Sequence, residues 1–191
     1  MTRTVAIIGA GTMGGGIAIA ALTGGAHVVL IDTTGAALEA AGARIDKAFA
    51  RAVEKGRATS EEAQNRRAAL TVSTDLAAVS SAELVIEAVF EDLSVKTDLL
   101  TRLAPHVGAG SVVATNTSAL RVSDLAGCLP HPQRFLGLHF FSPADINPLV
   151  EVVRGEATSD EALALAQEYV GAMGKTALTC RDANGFAVNR F

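Results

Sequence analysis

Two ionisable residues stand alone inside apolar, strand-like runs. His139 lies in Phe135-Leu-Gly-Leu-His-Phe-Phe141, and Glu151 lies in Leu149-Val-Glu-Val-Val153. Burying a carboxylate is costly unless a partner compensates the lost hydration. The link between the runs, Ser142-Pro-Ala-Asp-Ile-Asn-Pro148, has the proline-rich chemistry of a loop that returns the second strand beside the first. A histidine backed by a carboxylate is an oriented general base whose charged form is favoured. A purely structural His–Glu pair is the plain alternative.

The opposite end of the chain carries a second constellation. An apolar run, Val5-Ala-Ile-Ile8, leads into Gly9-Ala-Gly11-Thr12-Met13-Gly14 and then a helical stretch. A second apolar run, His27-Val-Val-Leu-Ile31, ends on Asp32. A bare Gly-x-Gly-x-x-Gly occurs often by chance, but a strand before it, a helix after it and an acid closing the next strand make a dinucleotide fingerprint. Gly9 permits the tight turn, Gly11 lets the backbone approach a pyrophosphate, and Gly14 lets the helix pack on the strand. Thr12 and Met13 complete that turn, and free N–H groups of the first helical turn would hold the phosphates. Asp32 can accept hydrogen bonds from the ribose hydroxyls and would repel a 2′-phosphate. Asp32-Thr-Thr34 offers no arginine to receive one, so NAD is favoured over NADP.

Elements that could position these groups follow from the hydrophobic pattern. Strands are expected near 4–9, 27–32, 71–73, 83–89 and 111–115, with helices between them, which implies a doubly wound parallel sheet. Runs at 135–141 and 148–153 follow too closely for a helical crossover and are expected to be antiparallel neighbours. A helix near 159–173 and a strand at 176–180 complete the sheet. The fold class is therefore α/β, a Rossmann-type and mostly parallel sheet with extra C-terminal strands, at least one of them antiparallel. At 191 residues the chain is expected to be a single domain, 1–191, with an aliphatic core; 49% of it is hydrophobic and it has no Trp.

Composition excludes several roles. A net charge of −4 gives no reason to expect nucleic acid or an acidic membrane as partner. Cys128 and Cys180 lack metal or redox spacing and read as buried free thiols, so no metal is expected. The first strand starts almost at once and no apolar run reaches membrane-spanning length, so a cytoplasmic location is expected. A long helix near 35–55 carries Arg44, and also Lys47, Arg51 and Lys55 at i, i+4, i+8 along one face. Such a stripe is usually a solvated surface; the alternative is a contact for a phosphorylated carrier such as coenzyme A. Thr59-Ser-Glu-Glu-Ala63 reads as a helix cap and first turn.

Together these motifs resemble the N-terminal NAD-binding domain of 3-hydroxyacyl-CoA dehydrogenases. The resemblance runs along essentially the whole chain and rests on Ile8-Gly-Ala-Gly-Thr-Met-Gly14, Ile86-Glu-Ala-Val-Phe-Glu91 with Lys96, Asn116-Thr-Ser118, His139-Phe-Phe-Ser-Pro143, Pro148-Leu-Val-Glu151 and Gly185-Phe-Ala-Val-Asn-Arg190. It implies NAD-dependent oxidation of a 3-hydroxyacyl-CoA to a 3-oxoacyl-CoA. His139 would take the hydroxyl proton, Glu151 would orient the imidazole, and Ser118 and Asn189 would bond the reacting oxygen. Glu91, Lys96 and Asn116 would line the cofactor site, and Lys55 matches a coenzyme A contact loosely. Glu87 is left as structural.

Ala144-Asp-Ile-Asn147 departs from many relatives, which carry a basic residue and Met there. The family also continues after Asn189-Arg190 into an all-helical domain, so the chain is expected to be an isolated N-terminal domain. Phe186, Val188 and Phe191 are then expected to form an apolar patch that self-associates or frays. Rival readings are an NAD-binding module without turnover and a dehydrogenase acting on acyl-carrier-protein substrates. A short-chain hydroxyacid dehydrogenase with a lysine base has no matching segment here.

Overall fold

The structure is a computed structural model that describes residues 3–183 and 185–188. Eight strands form one sheet: β1 (Thr4–Ile8), β2 (His27–Ile31), β3 (Leu70–Ser73), β4 (Leu84–Glu87), β5 (Val112–Thr115), β6 (Phe135–Phe140), β7 (Leu149–Arg154) and β8 (Thr176–Arg181). Their order is β3-β2-β1-β4-β5-β6-β7-β8. The first six pair in parallel, β7 runs antiparallel to β6, and β8 is parallel to β7. The expected class, a doubly wound sheet with an antiparallel C-terminal extension, is the one observed. Reversal of order at β1 and β4 opens the crevice in which such sheets bind ligands.

The helices are α1 (Thr12–Thr23), α2 (Gly35–Glu54), α3 (Ser60–Ala68), α4 (Leu93–Leu103), α5 (Val122–Ala126) and α6 (Asp160–Ala172). Strand alternation divides the core into two layers. Val5, Ile7, Leu84 and Ile86 face one side, where Ile17, Ile45 and Val170 of α1, α2 and α6 cover them. Ala6, Ile8 and Val85 face the other, against Leu100 of α4 and Leu125 of α5. Burial on both faces is why these strands read as continuous apolar runs.

Local signals account for most boundaries. Thr34, Thr59, Asp92 and Ser159 each cap a helix with a side-chain oxygen, and Thr59 with Glu62 forms a complete capping box. The short α5 was not expected, since five residues are too few to show a helical period. Cys180 is buried as expected; Cys128 is only half-buried, because it follows the end of α5 in a surface turn. Among the described residues no helix is long and apolar enough to cross a membrane.

The tightest packing constraint lies where α1 leaves β1. A Cβ on Gly14 would sit 1.7 Å from the Gly9 carbonyl oxygen, whereas one on Gly11 would meet nothing within 4 Å. Gly14→Ala should therefore cost at least about 1–3 kcal/mol of stability, the range for overpacking. Gly11→Ala should cost less than about 1 kcal/mol, the scale of a helix N-cap change. Urea unfolding of the two variants checks the difference, and equal midpoints would refute the packing argument.

Candidate functional site

The turn after β1 is held from three directions. Gly9, at φ 105°, donates its N–H to the Ile31 carbonyl at 2.7 Å, and a side chain there would strike the Ala88 carbonyl at 2.6 Å. Asp32 accepts from the Ala10 N–H at 2.8 Å and the Thr34 N–H at 3.1 Å, tying the end of β2 to the turn. The Arg44 guanidinium donates to the carbonyls of Ala10, at 2.6 Å, and Gly11, at 3.1 Å. Gly11 caps α1 without a side-chain hydrogen bond among the described residues, so the first-turn N–H groups stay available to an anion. The open face at Gly11 and the carboxylate at the end of β2 fit a dinucleotide whose pyrophosphate crosses the turn. Sequence reasoning gave Arg44 only a place on the long helix; its grip on the turn arises from the packing of α2 against α1.

Met13 and Ala88 lead from this turn into a cleft of about 300 Å³ at the C-terminal ends of β4, β5 and β6, also lined by Glu91, Asn116, Ser118 and His139. The β6–β7 register sets His139 directly opposite Glu151, on the same face of the sheet. His139 Nδ1 lies 2.7 Å from Glu151 Oε2. With Nδ1 engaged by the carboxylate, the proton belongs on Nδ1 and Nε2 is left as the ring's acceptor. Glu151 is fully buried, and its Oε1 accepts the N–H groups of Ala187 and Val188, each at 2.9 Å. Phe141 packs on the imidazole with centroids 4.4 Å apart.

Below the cleft lies a buried ion pair. Lys96 Nζ is 2.7 Å from Glu87 Oε1 and 3.3 Å from Glu91 Oε2, and both Lys96 and Glu87 are essentially solvent-free. Thr115 Oγ and the Val89 N–H also donate to Glu87, at 2.6 and 2.8 Å, which completes its shell and fits the structural role expected of it. Lys96 thus meets the cleft through Glu91. Glu91 Oε1 accepts from Thr117 Oγ at 2.5 Å and from the Ser118 N–H at 2.8 Å. Partial burial pushes the Glu91 carboxyl up, but these bonds and the Lys96 charge outweigh it and hold the group below the usual carboxylate range. Asn116 Oδ1 accepts from the Phe140 N–H at 2.9 Å, fastening the end of β5 to β6.

His139, Glu151, Ser118, Glu91 and Asn116 therefore come together, while Asn189 lies outside the described residues. Lys55 lies elsewhere. It lines a cleft of about 570 Å³ with Arg44, Lys47, Arg51 and Arg57, bounded by Thr12 and Gly16 of α1. Val188 is 45% exposed, as an apolar patch required, but Phe186 is buried against His139 with ring centroids 5.8 Å apart. Left-handed backbone at Gly185 and Phe186 turns that ring inward, which the apolar run alone did not predict. Among the described residues no cluster of His, Cys, Asp and Glu could hold a metal ion.

Removing Lys96 would strand Glu87. Lys96→Met should cost about 3–5 kcal/mol, the usual effect of breaking one side of a buried pair, and Glu87→Gln added to it should restore part of that loss. Chemical denaturation of the single and double variants checks this; additive losses would show the pair to be uncoupled.

Comparison with known proteins adds a lineage to this geometry. Residues 4–183 match the family described as 3-hydroxyacyl-CoA dehydrogenase, NAD binding domain. The (S)-3-hydroxybutyryl-CoA dehydrogenase of Ralstonia eutropha superposes with a TM-score of 0.97 at 34% identity, covering 100% of this chain and 68% of that one. The 3-hydroxybutyryl-CoA dehydrogenase of Escherichia coli gives 0.96 at 39% identity, covering 100% of this chain and 40% of its own. FadB2 of Mycobacterium tuberculosis gives 0.94 at 39% identity, with 98% of this chain and 67% of that one covered.

Proposed function

Because the chain belongs to the 3-hydroxyacyl-CoA dehydrogenase family, as its NAD-binding domain, we propose that it supplies the catalytic half of an enzyme that oxidises a 3-hydroxyacyl-CoA to a 3-oxoacyl-CoA. The observation that carries this reading is the 2.7 Å His139–Glu151 contact in a cleft continuous with the dinucleotide turn. NAD, when bound, supplies the hydride acceptor for C3 of the substrate. His139 Nε2 takes the proton of the 3-hydroxyl as the C3–O bond gains double-bond character. The imidazolium so formed is stabilised by the Glu151 carboxylate behind it.

Ser118 hydrogen-bonds the reacting oxygen and orients C3, while Glu91 holds the Ser118 backbone in place. Asn189 takes the same task by resemblance to the family. The coenzyme A phosphates belong in the basic cleft, where Lys47, Arg51 and Lys55 present a cationic face and Arg44 adds a fourth charge. A pantetheine arm reaching from that cleft toward His139 would bring C3 of the acyl group to the base.

Two measurements test the reading. The 191-residue chain should bind NAD at least about tenfold more tightly than NADP, since a 2′-phosphate against Asp32 costs at least ~1.4 kcal/mol. Titration with both nucleotides checks this; equal affinities would overturn it, and Asp32→Ala should narrow the gap. In an enzyme carrying this domain, His139→Ala should lower kcat by roughly 10² to 10⁴ while leaving NAD affinity nearly unchanged. Near-normal turnover of that variant would make the dyad structural and leave the chain an NAD-binding module.

A further inference from the structure

The segment after β8 makes contacts that the hydride-transfer reading does not use. Its first residue, Asp182, accepts the N–H groups of Val122, at 2.8 Å, and Ser123, at 2.7 Å, fastening the chain to the start of α5. Beyond it, Gly185 at φ 73° and Phe186 at φ 49° are consecutive left-handed residues. Glycine adopts that conformation freely; phenylalanine does so only where its surroundings hold it. Here the Phe186 ring is 3% exposed and packs on the imidazole of His139. The turn it enforces aims the next two N–H groups, of Ala187 and Val188, at a single oxygen, Glu151 Oε1.

The Glu151 carboxylate is thus divided. One oxygen belongs to this segment and the other to His139 Nδ1. Sheet register fixes only the backbone positions of the two residues, and a glutamate has three side-chain torsions left to set. Two N–H donors on Oε1 fix the plane of the carboxylate, so Oε2 can face only the imidazole. The remaining neighbour of Oε1 is the Cys180 thiol of β8, at 3.8 Å, a weak donor kept protonated by burial and by the carboxylate itself.

We propose that this segment is a strap that positions the His139–Glu151 pair, with Asp182 as its anchor, Phe186 as its wedge and the backbone N–H groups of Ala187 and Val188 as its grip. Asp182 and Phe186 are positioning residues: they act through Glu151. The strap selects the tautomer with the proton on Nδ1, which keeps Nε2 ready to accept the substrate proton. The consequence for catalysis rests on His139 being the base; the strap itself does not.

The test uses the 191-residue chain labelled with nitrogen-15 in the rings of its four histidines. In the parent, the His139 signals, assigned by their loss in His139→Ala, should show Nδ1 protonated with a slowly exchanging N–H. Asp182→Ala and Val188→Pro should each speed exchange of that ring proton by about tenfold or more and mix the two tautomers, while NAD affinity stays within about twofold. Asp182→Asn should fall between. Val188 is exposed, so its variant deletes one donor without opening the core and decides the matter should Asp182→Ala unfold. Parent-like ring signals in both variants, with the Ala187 amide exchanging freely, would overturn the strap. Loss of turnover in His139→Ala separately decides whether His139 is the base.

Discussion

A carboxylate sealed from water must find its hydrogen bonds inside the protein, and the C-terminal strands of this fold are arranged around that requirement at Glu151. The residue is fully buried in the middle of β7. There the imidazole and two backbone amides converge on it and replace the water it has lost. The antiparallel return of β7 is what makes convergence possible: opposite residues of such a pair share a face, and His139 and Glu151 are opposite. A one-residue slip would send Glu151 to the other face of the sheet, away from the histidine.

The same requirement is met a second time by Glu87, through a different solution. There the loop after β4 gives one N–H, from Val89, and Lys96 extends from α4 to pair with the carboxylate while also touching Glu91. Buried charge at the end of β4 is thereby linked to an exposed carboxylate that shapes the loop carrying Thr117 and Ser118. Glu87, Lys96, Glu91, Thr117 and Ser118 thus form one network that reaches the cleft through Glu91.

A cation on α2 ties the basic cleft to the turn after β1. Arg44 spends its donors on the carbonyls of the dinucleotide turn while lining the basic cleft beside Lys47, Arg51 and Lys55. Its charge near the turn also suits the anionic pyrophosphate that the turn accepts.

How much of this was legible in the chain depends on the range of the interaction. The strand runs, the helix caps and the glycine turn at residues 9–14 were readable, because each is decided by neighbours a few residues away; burial on both faces writes a β-strand as a plain apolar run. The pairing of His139 with Glu151 was readable for a related reason: an ionisable group in such a run demands a partner, and a short proline-rich link left one within reach. The charge on Lys96 gave no sign that it would be buried beneath Glu91, and Arg44 gave none that it would grip the turn, because both depend on how separate helices pack. Phe186 was misjudged as a surface residue for the same cause. Its left-handed backbone is affordable only when the imidazole and Glu151 receive it, and that meeting of β6, β7 and the segment after β8 exists only in the folded chain.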